Sequence, residues 1–79
     1  MTTPPKMYSA LAKGSNIEVF DIATGQRLYT LSLGSSFKAT AGPYISGDIL
    51  SVYLSDGSGN NYLKVFNVKT GSLKYTANA

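Results

Sequence analysis

Apolar and polar residues alternate along this chain in short runs, and Gly, Ser, Asn or Asp stands at the end of each run. No window carries apolar residues at i, i+3, i+4 and i+7 between capping residues, so no helix is expected. β-Branched and aromatic residues fill the runs instead, the composition that suits a pleated, packed surface. The pattern predicts seven strands, over residues 7–13, 17–22, 27–33, 38–45, 49–54, 62–68 and 73–77. Between them lie Gly14-Ser15-Asn16, Ala23-Thr24-Gly25, Gly34-Ser35-Ser36, Ser46-Gly47-Asp48, the tract 56–61 and Lys69-Thr70-Gly71. Each supplies a Gly, Asn or Asp for the tight backbone of a hairpin. The expected fold class is therefore all-β, an antiparallel meander.

Two of these strands are apolar on both sides. In 17–22, Ile17 and Val19 point one way while Phe20 and Ile22 point the other; in 62–68, Leu63 and Val65 oppose Phe66 and Val68. A sheet with one wet face would alternate apolar with polar, so these strands are expected to be flanked on both faces. They also belong to a repeat. Residues 17–30 read IEVFDIATGQRLYT and residues 63–76 read LKVFNVKTGSLKYT, an offset of 46. Val19/Val65, Phe20/Phe66, Thr24/Thr70, Gly25/Gly71, Tyr29/Tyr75 and Thr30/Thr76 are identical. Ile17/Leu63, Asp21/Asn67 and Ile22/Val68 match in kind, and Gly14-Ser15 aligns with Gly57-Ser58 if the second loop is three residues longer. A period of about 40–50 residues with several strands per unit is the signature of a β-propeller blade.

With strands and turns placed, the sequence resembles the YVTN-type β-propeller repeat. The matching residues are Tyr8, Gly14-Ser15-Asn16, Ile17 through Asp21, Ala23-Thr24-Gly25, the strand 27–33 and Gly34-Ser35-Ser36. The chain departs from that pattern at Phe37, where the family usually has Pro, and the second copy ends in Thr76-Ala77-Asn78-Ala79 without the linker. The resemblance implies two four-stranded antiparallel blades per chain: an arm over 1–6, a first blade over 7–36 lacking its own innermost strand, and a second blade over 37–79. Propellers need about four to eight blades, so two must be supplemented by other chains. Cyclic head-to-tail association of two, three or four copies would close a ring. A six-bladed propeller from a homotrimer is the preferred count, with a dimer or tetramer as alternatives.

Size and composition agree with self-assembly. A chain of 79 residues makes a marginal core, and with no Cys and no His it has no disulfide and no expected zinc site. Association would bury surface that an isolated chain leaves wet. The extended Pro4-Pro5 pair suits a sheet edge or linker. Residues 1–8 either cross to a neighbouring protomer, with Pro4, Pro5, Lys6, Met7 and Tyr8 at the oligomer interface, or form a disordered terminus.

The seven basic and four acidic residues give a net charge of +3. The cations are scattered singly, whereas nucleic-acid binding gathers them on one face among stacking aromatics. Isolated strand lysines keep sheets soluble and blunt their edges, so no nucleic-acid partner is expected, although an acidic partner surface stays open. No apolar stretch reaches membrane-spanning length and residues 1–5 lack signal-peptide character. The expectation is a soluble protein without a membrane partner, at a virion surface if viral and otherwise cytoplasmic.

Catalytic chemistry finds no foothold. Glu18, Asp21, Asp48 and Asp56 are the four scattered acids, and with no His and no Cys they leave no nucleophile–base pair and no metal cluster. Glu18 and Asp21 fall on opposite faces of one strand, while Asp21 and Asn67 stand at equivalent strand ends, where they would cap the Thr-Gly turns. The stretch Asp56-Gly57-Ser58-Gly59-Asn60-Asn61 resembles the start of a calcium loop, but Asn67 stands where the bidentate Glu belongs. No catalytic residue, cofactor or metal is expected. As the longest loop, this stretch is a candidate contact surface through Asp56, Ser58, Asn60, Asn61 and Tyr62. Tyr29 and Tyr75 are expected between blades with their hydroxyls near the rim.

By analogy of size, symmetry and missing chemistry, the chain is similar to the small cement proteins that decorate tailed-phage capsids. That implies a non-enzymatic homotrimer stabilising a larger assembly such as a major capsid protein shell. The alternative is a lectin-like module in which an exposed tyrosine such as Tyr62 stacks on a sugar while Asn60 and Asn61 read its hydroxyls.

Overall fold

Each predicted strand forms, with its ends displaced by no more than one residue. The computed structural model describes residues 7–79. Across them run β1 (Tyr8–Lys13), β2 (Asn16–Asp21), β3 (Arg27–Ser32), β4 (Lys38–Ser46), β5 (Ile49–Ser55), β6 (Asn61–Asn67) and β7 (Leu73–Asn78), with no helix among the described residues. They make an antiparallel three-stranded sheet, β1-β2-β3, and an antiparallel four-stranded sheet, β4-β5-β6-β7. Sequential order within each sheet follows from hairpins too short to reach past a neighbour.

Register decides which side chains share a face, because directly opposed residues of an antiparallel pair point the same way. In the first sheet Ala10 faces Val19 and Ala12 faces Ile17, while Ile17 faces Leu31 and Val19 faces Tyr29. These residues form one face, called the front. In the second sheet Leu50 opposes Phe66, Val52 opposes Lys64 and Leu54 opposes Tyr62. The two faces meet: Ile17, Val19, Leu31 and Leu33 cluster with Leu50, Val52, Leu54, Phe66 and Val68 in a single core, all buried. Each fully buried aliphatic side chain contributes about 1.5–3 kcal/mol, so this junction carries the fold. Phe37, in the segment joining the sheets, meets Tyr62 edge-to-face at 5.5 Å between ring centroids. Lys64 lies half-buried on the core side with Nζ 5.6 Å from the Phe37 ring centre, its stem covering apolar surface.

The repeat is structural as well as verbal. The register slips between Val19 and Phe20 in one sheet and between Val65 and Phe66 in the other, equivalent positions. Gly25 N–H donates to the Asp21 carbonyl at 2.7 Å, and Gly71 N–H to the Asn67 carbonyl at 2.7 Å. Leu33 N–H donates to the Ser15 carbonyl at 2.8 Å, and Ala79 N–H to the Asn61 carbonyl at 3.0 Å. Upstream, however, Tyr8 opposes Asp21 where Ile49 opposes Asn67. Thus β1 maps onto β5 at an offset of 41, and the second loop is five residues longer, not three. Gly14-Ser15 and Gly57-Ser58 match in letters without occupying equivalent places.

Burial on both faces is realised unevenly. Phe66 is 5% exposed and Val68 is buried, whereas their equivalents Phe20 and Ile22 are half-buried and 53% exposed. Strand β4 is the least regular element, its register slipping twice, between Ala39 and Ala41 and between Ala41 and Tyr44. Pro43 lies in the second slip; it has no N–H to give a ladder, and an edge strand with a bulge accommodates it.

Candidate functional site: two outward sheet faces and a hairpin loop

Packing two sheets leaves two faces outward, and they differ in character. On the second sheet, Tyr44, Ser51, Val65 and Tyr75 lie side by side across the strands, with Tyr53, Leu63 and Ala77 in the neighbouring row. Tyr44 is 56% exposed, Tyr53 42% and Tyr75 53%. This face is the equivalent of the first sheet's front, since Val65, Leu63 and Tyr75 correspond to Val19, Ile17 and Tyr29. The first sheet's outward face, its back, pairs Ser9 with Phe20, Leu11 with Glu18 and Glu18 with Thr30. Leu11 is 54% exposed there, and Arg27 donates from Nη1 to Glu18 Oε2 at 2.8 Å.

The turns at one end are built identically. Ala23 N–H donates to Asp21 Oδ1 at 2.8 Å and Lys69 N–H to Asn67 Oδ1 at 2.9 Å, the capping roles expected of that pair. Gln26 N–H reaches Thr24 Oγ1 at 3.2 Å and Ser72 N–H reaches Thr70 Oγ1 at 3.3 Å. Gly25 (φ +75°) and Gly71 (φ +80°) both occupy the left-handed region that glycine enters without cost. Their surroundings diverge. A Cβ on Gly71 would stand 3.4 Å from Leu31 and from Tyr29, whereas one on Gly25 would meet nothing within 4 Å. Tyr29 accordingly lies between the sheets with its hydroxyl oxygen buried. Burial first, and nearby Tyr8 second, push its phenol above the usual tyrosine range. Tyr75, expected in the same setting, is instead on the outward face.

The long hairpin loop is organised around one carboxylate. Ser58 N–H donates to Asp56 Oδ1 at 2.8 Å and Asn60 N–H to the same oxygen at 3.3 Å. Asn60 Nδ2 donates to Oδ2 at 3.0 Å, and the Tyr62 hydroxyl stands 3.5 Å from it. These donors, led by the Asn60 amide and the Ser58 N–H, hold the Asp56 carboxyl below the usual carboxylate range. Four of the five predicted loop residues, Asp56, Ser58, Asn60 and Tyr62, are thus brought together, but on one another. Asn61 begins β6, where its carbonyl receives Ala79 N–H at 3.0 Å. Gly59, Asn60, Asn61 and Tyr62 border an open depression with Asn78 and Ala79.

Of the predicted interface residues, Pro4, Pro5 and Lys6 lie outside the described residues. Met7 is 65% exposed and accepts Ile22 N–H on its carbonyl at 3.2 Å; Tyr8 opens β1 opposite Asp21. The outward row of Tyr44, Tyr53, Leu63, Val65 and Tyr75 was not foreseen as a site. The signal was present in ILSVYLS over Ile49–Ser55: if Leu50, Val52 and Leu54 claim one face, Tyr53 must take the other. Among the described residues no group of three or more His, Cys, Asp or Glu is gathered, and no helix is long and apolar enough to cross a membrane. No protein-family model matches the chain, and no curated protein is found to be similar to it.

Proposed function

We propose that the chain is a non-enzymatic assembly protein whose copies associate through their sheet faces into a closed β-propeller. Three chains supplying six blades is the favoured count, and the ring decorates and stabilises a larger assembly of the phage-capsid kind. The observation that carries this reading is the outward face of the second sheet. Three tyrosines, each around half exposed, flank the half-buried Leu63 and overlie Val65, itself only 5% exposed, in a chain of 79 residues. A contiguous apolar patch of that kind on a small soluble domain marks an interaction surface or an aggregation hazard. Covering it with another sheet relieves the hazard and adds the burial that a small core lacks.

Glycan binding at the long loop draws less support. The Asn60 amide already serves Asp56, and the Tyr62 ring is engaged edge-to-face by Phe37, so neither is free to read or stack on a sugar in this arrangement. The proposed function is tested by mass in solution, with light scattering expected to return three times the chain mass of 8.4 kDa. A second arm mixes the oligomer with shells of a tailed-phage major capsid protein and asks whether it co-sediments. A monomer at tens of micromolar would overturn the ring, and failure to sediment would overturn the decorating role.

A further inference from the structure

The two sheets do not meet by equivalent faces, and that asymmetry identifies what the outward faces fit. Inside the chain, the first sheet contributes its front, with Ile17, Val19 and Leu31, while the second contributes the side carrying Phe66 and Val68. The equivalents of Phe66 and Val68 are Phe20 and Ile22, on or beside the first sheet's back. The junction is therefore front to back. What remains outward is one unused front, on the second sheet, and one unused back, on the first.

We propose that a second copy of the chain docks the back of its first sheet onto the front of the second sheet, repeating between chains the packing that already exists within one. This rests on the self-association reading and specifies its geometry. The contact is heterologous: Tyr53, Leu63 and Tyr75 of one copy meet Leu11, Phe20 and Ile22 of the next. Three observations converge. The sheets share a bulge at equivalent positions and identical turn hydrogen bonds, so the same docking can recur. The turn at Gly71 seats against Tyr29 and Leu31, while the equivalent turn at Gly25 faces open space and the equivalent Tyr75 is 53% exposed. Seating Gly25 of the next copy over Tyr75 and Ala77 would complete both.

The third observation is a transfer of bulk. On the fronts, Ala12 in the first sheet is replaced by Tyr53 in the second. On the backs, Leu50 and Leu54 of the second sheet correspond to Ser9 and Lys13 of the first. At Leu50/Ser9 and Ala12/Tyr53 side-chain volume has moved from back to front, as expected of a junction that keeps its spacing while its sequence drifts, whereas Lys13 keeps the bulk of Leu54 and adds a charge. Its polar content also makes it weaker than the internal junction: Glu18 and Lys64 are both charged at the equivalent place, but Arg27 stands where the second sheet has Leu73, and Ser9 and Lys13 where it has Leu50 and Leu54.

The experiment uses two full-length variants, both altered at exposed positions so that the core is untouched. Y53D/Y75D removes the front, and L11D/I22D removes the back; circular dichroism confirms that each folds. Native mass spectrometry is expected to show an oligomeric wild type, each variant monomeric alone, and an equimolar mixture giving a one-to-one heterodimer. Only a front-to-back contact predicts that complementation, since the mixture retains one intact front and one intact back. If L11D/I22D alone remains dimeric, the fronts pair with each other: the docking geometry falls while self-association stands. If the mixture stays monomeric beside an oligomeric wild type, the inference also falls alone. A monomeric wild type overturns both.

Discussion

Tyr29 and Tyr75 occupy the same place in the same hairpin, yet one is half-buried between sheets with its hydroxyl oxygen buried and the other is 53% exposed. Everything local to them agrees: the bulge beside Val19 and Val65, the Asx cap from Asp21 and Asn67, and a left-handed glycine at Gly25 and Gly71. Their environments diverge only because the first sheet has a neighbour on its front and the second sheet has none within the chain. Local sequence thus specifies strand, turn and facing, while the flanking partner decides what a facing is worth. Substitutions at equivalent positions cancel the shared local structure and read the difference in surroundings directly.

The largest difference is expected in the paired substitutions Ile17→Ala and Leu63→Ala. Ile17 is fully buried in the junction, so its truncation loses transfer energy and leaves a cavity, costing about 2–5 kcal/mol. A core of this size supplies about 3–5 kcal/mol in total, so most of the protein should unfold. Leu63 is half-buried on the outward face, and its truncation should cost about 1 kcal/mol in a single chain while weakening association. Chemical denaturation at a concentration that keeps the wild type monomeric checks the pair. Equal costs there would mean that the two fronts are equally packed within one chain.

The turn glycines give a smaller contrast. Asn tolerates the left-handed region better than other side chains, so Gly→Asn keeps the backbone and adds bulk. At Gly71 that bulk runs into Leu31 and Tyr29, already 3.4 Å from an ideal Cβ, and overpacking of this kind costs about 1–3 kcal/mol. At Gly25 nothing lies within 4 Å, so Gly25→Asn should leave the chain's stability within about 0.5 kcal/mol of wild type and reduce oligomer mass instead. Thermal unfolding and light scattering on the two variants separate these effects. A Gly25→Asn chain as destabilised as Gly71→Asn would show that backbone conformation, not contact, dominates at both turns.

How much of this was legible beforehand follows the same division. The strands could be read because alternation and turn chemistry are local, as could the Asp21 and Asn67 caps. The fates of Phe20 and Phe66 could not, since identical letters in identical hairpins differ only in which sheet lies across from them. The offset of β1 against β5 was misread for a related reason: Gly-Ser pairs recur in turns, but register is fixed by the ladder. The edge position of β4 is announced by Pro43, which has no N–H for a central ladder, but the places where its register slips are not. The contacts that the sequence suggests lie in a loop and at the terminus, whereas the exposed apolar surface lies on a sheet.

The smallest expected effect belongs to the one pair of equivalent hairpins that differ in length. The first sheet turns between β1 and β2 through Gly14-Ser15, with no titratable side chain; the second turns between β5 and β6 through a loop held by Asp56. Because donors from Asn60 and Ser58 favour the ionised carboxyl, its folded pKa lies below its unfolded value. The stabilisation is therefore fully present above the unfolded carboxylate range and is lost as pH falls through the depressed folded value. The Ser58 and Asn60 amide resonances should shift with an inflection below the usual carboxylate range, while those of Gly14 and Ser15 stay flat. Asp56→Asn should abolish the inflection and leave the unfolding midpoint nearly unchanged at neutral pH, since the carboxyl is on the surface and its bonds are confined to the loop. An inflection at or above the ordinary range would show that the loop donors do not engage the carboxylate in solution, and the long hairpin would then be as unanchored as its short counterpart is simple.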